Sequence, residues 1–316
     1  MIYRFFRWIA GIMLHWFYSE IRIDGGERIP KTGPLLVAVN HPNAMVDSLV
    51  AGWVVPRPLR ITAKATLFQH PFVSLMFKLL GVVPLRRVSD TTGNLREDYE
   101  RNSAAFQEII GVLREGGAVL IFPEGRSNSD ELLPLKTGLA RIALAARQSG
   151  VRGVGILTVG LTFENKSNPG TRVVAIIEDP LDVDSWQGES TRALTDSITE
   201  RLLRASSGTL FPTGAPTERA QKQMILVRAA SWWGRTTHEI PIRYARSLAL
   251  SRSQSADEPA MLTMLFGIGL ILASYAIHVA LVGLLTRSAL VTGLYLATLI
   301  TGAYWTAFEG HSRAVR

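Results

Sequence analysis

Six histidines are spread along the chain, His15, His41, His70, His238, His278 and His311, and none is spaced from another as close metal ligands are. Only His41 has neighbours that suggest chemistry. It lies in VAVNHPNAMVDSLV, where an apolar run ends, Pro42 and Asn43 turn the chain, and Ala44 begins a helical pattern. Asn43 is a favoured N-cap residue, which places Asp47 in the first turn of that helix, near enough for His41 to fold back toward it. A carboxylate bonded to one imidazole nitrogen fixes the tautomer and stabilises the imidazolium. The other nitrogen is then free to take a hydroxyl proton. The competing reading is a capped helix whose Asp complements the macrodipole, beside an ordinary loop histidine. On these residues alone the competing reading is the commoner case.

Several other chemistries are excluded. The absence of cysteine removes a thiolate nucleophile, disulfides and Cys-ligated zinc. No GxSxG nucleophile elbow and no GxxxxGK[ST] phosphate loop occurs. Gly153-Val154-Gly155 precedes a strand-like run and has Thr158 where a third glycine belongs, so it is no dinucleotide fingerprint. No metal and no cofactor is expected.

The elements that must position His41 follow from periodicity. After IRID at 21–24 and the turn-rich GGERIPKTG, PLLVAVN reads as a buried strand ending at His41. Further strands are expected at 60–63, 81–85, 118–122, 155–163 and 171–177, with helical patterns near 44–55, 70–80, 95–114, 135–148 and 189–205. Strands alternating with helices predict an α/β domain over 20–212. Ahead of it, residues 1–19 read as an interfacial amphipathic helix with Arg4, Arg7, Gly11 and His15 as a narrow polar stripe and Trp8, Trp16 and Tyr18 as anchors. A helix packed on the domain core is the alternative.

Residues 213–260 read as a helical linker region, with a helix closed by Gly234, a break at Pro241 and a polar stretch at RSQSADEP. Arg219, Lys222, Arg228 and Arg235 beside Trp232 and Trp233 suit a membrane interface and a domain-packing helix equally. Over 261–310 the chain carries 25 uncharged positions at 261–285 and 21 more at 288–308, split only around Arg287. Each run exceeds the ~20 residues that cross a bilayer core, so a transmembrane helical hairpin is expected. Arg243, Arg246 and Arg252 precede it and Arg313 and Arg316 follow, which puts the catalytic domain on the cytoplasmic side. His278 reads as a neutral helix-contact residue. The net charge of +8 comes from scattered basic residues, mainly arginine, which favours membrane lipids and phosphate over nucleic acid as partners.

Three later blocks change the weight of His41 and Asp47. NHPNAMVD is followed by GVVPLRR at 81–87, FPEGRSNSDELLPLKTG at 122–138 and ILTVGLTF at 156–163. Together the four resemble the glycerol-phosphate acyltransferase family, which includes 1-acylglycerol-3-phosphate acyltransferases, across roughly residues 20–185. The resemblance implies an α/β domain of that family's fold, with His41 as general base and Asp47 as its orienter. The acceptor hydroxyl would attack an acyl thioester directly, with acyl-CoA or acyl-carrier protein as co-substrate and no acyl-enzyme. It further implies acceptor phosphate or glycerol binding by Arg87, Glu124, Gly125, Arg126 and Ser127, with Lys64 as a further phosphate contact. A guanidinium fork matches phosphate geometry.

Three departures stand out. Five residues separate His41 from Asp47 where the commoner form has four, FPEGRS replaces FPEGTRS, and Thr158 replaces a proline. The five-residue form looks more like a branch with glycerol-3-phosphate acyltransferases of the fungal type. The expected reaction is acylation of 1-acylglycerol-3-phosphate to phosphatidic acid. The alternatives are a glycerol-3-phosphate acyltransferase and a lysophospholipid transacylase or remodelling enzyme. Oligomeric state is not readable from the sequence.

Overall fold

The computed structural model describes residues 2–69, 71–85, 95–128, 131–188, 190–207, 225–253 and 258–312. Helix α1 (Ile2–Phe17) leads into β1 (Glu20–Asp24) and β2 (Leu35–Val39), the strand that ends two residues before His41. Then come α2 (Ala44–Val54), β3 (Leu59–Lys64), α3 (Pro71–Leu80), β4 (Val83–Leu85) and α4 (Leu95–Arg114). The domain closes with β5 (Ala118–Ile121), α5 (Gly138–Gln148), β6 (Gly155–Phe163), β7 (Arg172–Ile177), β8 (Leu181–Asp182) and α6 (Thr191–Ser207). Three helices follow, α7 (Ile225–Arg252), α8 (Pro259–Thr286) and α9 (Ala289–Ser312).

The strands form one sheet in the order β1-β7-β6-β2-β5-β3-β4, with β8 paired to β6. Strands β6, β2, β5, β3 and β4 run parallel, whereas β7 is antiparallel to β6 and carries β1 parallel to itself. The side-chain period of two sorts each strand into two cores. Leu35, Val37 and Val39 face one way, with Ala118, Leu120, Leu157 and Val159, and pack against α1, α2 and the start of α8. Leu36 and Ala38 face the other way, with Val119, Ile121 and Ile156, and pack against α4, α5 and α6. The result is a three-layer α/β/α sandwich. All five parallel strands deliver their C-terminal ends to one edge, where α/β sheets form ligand sites.

Two close approaches tighten the frame. A Cβ on Gly160 in β6 would lie 2.4 Å from the Ala205 carbonyl carbon of α6, so only glycine lets that helix seat. On the opposite face, a Cβ on Gly11 would meet the Trp53 ring at 2.4 Å.

That contact packs α1 on α2, and part of its polar stripe turns inward: Arg7 donates to the carbonyls of Gly52 and Trp53 at the end of α2, and His15 meets the Trp53 ring edge-on at 4.9 Å. The last carbonyls of α2 lack helical partners, and Arg7 satisfies two of them. The outward face carries Phe5, Trp8 and Ile12. Tyr18 and Trp16 are not surface anchors: Tyr18 is buried, and the Trp16 ring fills the space above Gly267 of α8.

The C-terminal region also departs from expectation. Helix α7 runs unbroken through Gly234 and Pro241. Packing along both α8 and α9 holds the backbone where propensity alone would end it. Gly234 serves close approach, since a Cβ on Gly302 of α9 would stand 3.0 Å from the Gly234 Cα. The expected two-helix hairpin, turned at Arg287, is thus part of a three-helix unit. Polar pairs cross it, His238 Nε2 to the Tyr275 hydroxyl at 2.6 Å and His278 Nδ1 to the Tyr295 hydroxyl at 2.7 Å. Helix α8 is long and apolar enough to cross a membrane, and its Leu284 and Leu285 are 75% and 83% exposed. Arg219, Lys222, Arg313 and Arg316 lie outside the described residues.

Candidate active site

The site forms where β2 and β5 end side by side. Their register pairs Ala38 with Ile121, so His41 and Glu124 emerge three residues later at the same level. Asn40 fixes the exit. Its side-chain carboxamide donates to the Leu161 carbonyl at 2.9 Å and accepts from the Leu161 amide at 2.7 Å, extending the β2–β6 pairing by one residue. His41 cannot swing away from β6 without breaking both bonds.

His41 Nδ1 and Asp47 Oδ2 are 2.9 Å apart. The same Oδ2 accepts the Asn43 amide at 2.7 Å, so both donors converge on one oxygen. Asp47 is fully buried and its Oδ1 has no partner among the described residues. Burial pushes its carboxyl up to about 6, against the pull of His41, Asn43 and Lys166. Because the same Oδ2 already accepts the Asn43 amide, Nδ1 is the nitrogen placed to donate to it, and Nε2 is the one left open to accept. Nε2 has no hydrogen-bond partner among the described residues, and the imidazole is 13% exposed. The Phe122 ring lies flat against the imidazole, 3.9 Å between centroids and 12° between planes, and holds the ring plane.

Two of the residues expected to bind the acceptor, Glu124 and Ser127, brace the turn. Glu124 is buried, and its two oxygens accept the amides of His41 at 2.6 Å and Leu133 at 2.8 Å. Burial raises its pKa and these amides oppose the rise. Ser127 Oγ donates to the His41 carbonyl at 3.0 Å and accepts the Ala44 amide at 3.0 Å. It thereby ties the turn together from a distant loop, and Asn43 makes no side-chain capping bond. The Asn43 side chain turns instead to the Tyr18 hydroxyl at 3.0 Å.

Between them these braces hold Ala44 at φ 46, a left-handed conformation that an alanine adopts only under constraint. The chain folds back here sharply enough for His41 and Asp47 to meet across six positions.

Gly125, at φ 77, makes the turn after Pro123 and Glu124 in which its amide donates to the Phe122 carbonyl. Arg126 is exposed on this edge and Lys64 ends β3 on it. Arg87, two residues past β4, lies outside the described residues. Asn40, Tyr18 and Phe122 were missed as site residues. Asn40 sits inside NHPNAMVD and Phe122 inside FPEG, so their positions were readable although their bonding was not. For Tyr18 no sequence signal existed.

Residues 20–162 match the family model described as Acyltransferase. A 1-acyl-sn-glycerol-3-phosphate acyltransferase of Borreliella burgdorferi is 29% identical over 205 residues, 62% of this chain and 73% of that protein. Glycerol-3-phosphate O-acyltransferase 2 of Saccharomyces cerevisiae is 26% identical over 167 residues, 51% of this chain and only 22% of the yeast protein. The crystal structure of the 1-acyl-sn-glycerophosphate acyltransferase from Thermotoga maritima aligns with 61% of this chain and 75% of that one, at TM-score 0.48 and 23% identity. Through the segment that carries His41 and Asp47, this chain is similar to acyltransferases. It is an enzyme, an acyltransferase.

Proposed function

We propose that the chain transfers a fatty acyl group from a thioester to the free hydroxyl of 1-acylglycerol-3-phosphate, giving phosphatidic acid. The observation that carries this reading is the His41–Asp47 pair, with one imidazole nitrogen tied to a buried carboxylate and the other open. His41 Nε2 removes the acceptor proton as the oxygen attacks the thioester carbonyl. Asp47 stabilises the imidazolium that forms, and the imidazolium returns the proton to the leaving thiolate. No side chain is acylated. Arg126 and Arg87, with Lys64, are the cations that meet the acceptor phosphate, and acyl-CoA or acyl-carrier protein is the donor.

Helices α8 and α9 anchor the enzyme in the bilayer, and Phe5, Trp8 and Ile12 of α1 rest in its interface. The catalytic domain lies on the cytoplasmic side, where acyl thioesters are made. Glycerol-3-phosphate is the second candidate acceptor, favoured by the five residues between His41 and Asp47 and by the name of the yeast relative. An acceptor panel with labelled acyl-CoA and purified protein separates the two. Transfer to 1-acylglycerol-3-phosphate at low concentration supports the first reading, and saturation by glycerol-3-phosphate alone overturns it. Transfer from phospholipid with no thioester present would identify a transacylase.

A further inference from the structure

Tyr18 is buried between the helix α1 that it follows and the catalytic turn, and its hydroxyl joins two of the chain's separate parts. It accepts from Asn43 Nδ2 at 3.0 Å and donates to the Lys166 carbonyl at 3.3 Å. Asn43 in turn gives its amide to Asp47 Oδ2. Lys166 belongs to the loop between β6 and β7, and that loop is clamped from both the N-terminal and the C-terminal helices. The Gly170 amide donates to the Phe17 carbonyl at the end of α1 at 2.7 Å, and the Ser19 amide donates to the Thr171 carbonyl at 2.9 Å. From the C-terminal helices, the Arg246 guanidinium of α7 donates to Asn168 Oδ1. Asn165 Oδ1 accepts the amides of Ser167 and Asn168, both at 3.1 Å, and keeps Asn168 turned toward α7.

We propose that Tyr18, Asn168 and Arg246 are positioning residues of the acyl-transfer site, which fix Asn43, and through it Asp47, to the N-terminal and C-terminal helices. The inference rests on reading His41 and Asp47 as the catalytic pair. Among the described residues Asp47 makes two side-chain bonds, both on one oxygen, so the direction of its carboxylate depends on where the Asn43 peptide sits. That peptide is placed by its own side chain, on the Tyr18 hydroxyl and the Lys166 carbonyl. None of the three proposed residues bonds to His41 itself. A displacement of about 1 Å in a catalytic group costs on the order of 10²-fold in rate, so a loosened tether is read in turnover. Docking of α1 and α7 on this loop thereby becomes a condition for full rate.

The test uses full-length protein in mixed micelles, with kcat and KM measured for both substrates. Tyr18→Phe keeps the ring and removes the hydroxyl. It is expected to lower kcat about tenfold, with KM within twofold and thermal unfolding within a few degrees of wild type. Arg246→Ala is expected to do the same, and Arg246→Lys to recover most of the loss by restoring one donor to Asn168. Wild-type kcat in Tyr18→Phe and Arg246→Ala overturns the inference, as does a loss that tracks thermal unfolding and vanishes on cooling. His41→Ala is run alongside. If it is inactive while the other two keep full rate, this inference fails alone. If it is active, the assignment of the base fails and the inference with it.

Discussion

Replacing Asp47 by asparagine separates the charge of the pair from its geometry. Oδ2 takes both hydrogen bonds, from His41 Nδ1 and the Asn43 amide, and Oδ1 takes none among the described residues. An asparagine carbonyl can occupy the Oδ2 position and accept both donors, so the imidazole tautomer is kept. The amide nitrogen then falls where Oδ1 was, buried and unpartnered, at a cost of about 1–3 kcal/mol. Against that, the ionised aspartate is itself unfavourable. Its rise from the ordinary 3.8 to about 6 corresponds to about 3 kcal/mol above pH 6, at 1.36 kcal/mol for each tenfold change in acidity. The two effects nearly cancel, and Asp47→Asn is expected to fold with stability near wild type at pH 7.

The linkage has a definite sign. Between pH 4 and 6 folded Asp47 binds more proton than the unfolded chain, so wild-type stability falls as pH rises through that window. Asp47→Asn lacks this loss and gains relative to wild type over the same interval. Activity behaves differently. Without a carboxylate the imidazolium is no longer stabilised, and kcat is expected to drop about 10²–10³-fold. That is less than the ~10⁴ seen in a triad where the amide also enforces the wrong tautomer. The assay is acyl transfer at pH 7.5 with thermal unfolding followed from pH 4 to 8. A folded Asp47→Asn protein with kcat within threefold of wild type would falsify the role given to the charge.

Other perturbations follow from the same geometry. Ser127→Ala strips the bridge between the His41 carbonyl and the Ala44 amide and is expected to lower kcat about tenfold, measured at saturating substrate. Glu124→Gln turns an amide NH₂ toward one of two backbone donors, so both thermal stability and activity should fall, the first by several degrees and the second by about 10²-fold. Gly160→Ala drives a methyl into the backbone of α6 and should destabilise the domain by about 1–3 kcal/mol, seen as a lowered unfolding midpoint without a specific change in KM.

Much of the α/β domain could be read from the sequence, because its strands are short apolar runs closed by turn residues and its helices carry clear periodicity. The short β8 lacked enough residues for any pattern. Helix α7 was misjudged because Gly234 and Pro241 are local breakers, whereas their fate is decided by contacts with α9 and α8 that are distant in sequence. The inward turn of Arg7 and His15 had the same cause: a polar stripe on an apolar helix looks solvent-facing until the carbonyl ends of α2 are placed beside it. At the site, spacing was enough to join His41 to Asp47. It could not show that Glu124 and Ser127 spend their oxygens on the backbone of the His41 turn. That depends on β2 and β5 being neighbours, which no local window contains. Tyr18 was the furthest from view, since its partner Lys166 is 148 residues away.

The most direct measurement of the central claim is labelled acyl transfer from acyl-CoA to 1-acylglycerol-3-phosphate by purified wild type and His41→Ala at equal folded concentration. Loss of at least about 10³-fold in kcat, with acceptor KM little changed, is expected if the imidazole takes the hydroxyl proton in the transition state. Equal turnover by the two proteins would contradict it and place the base elsewhere.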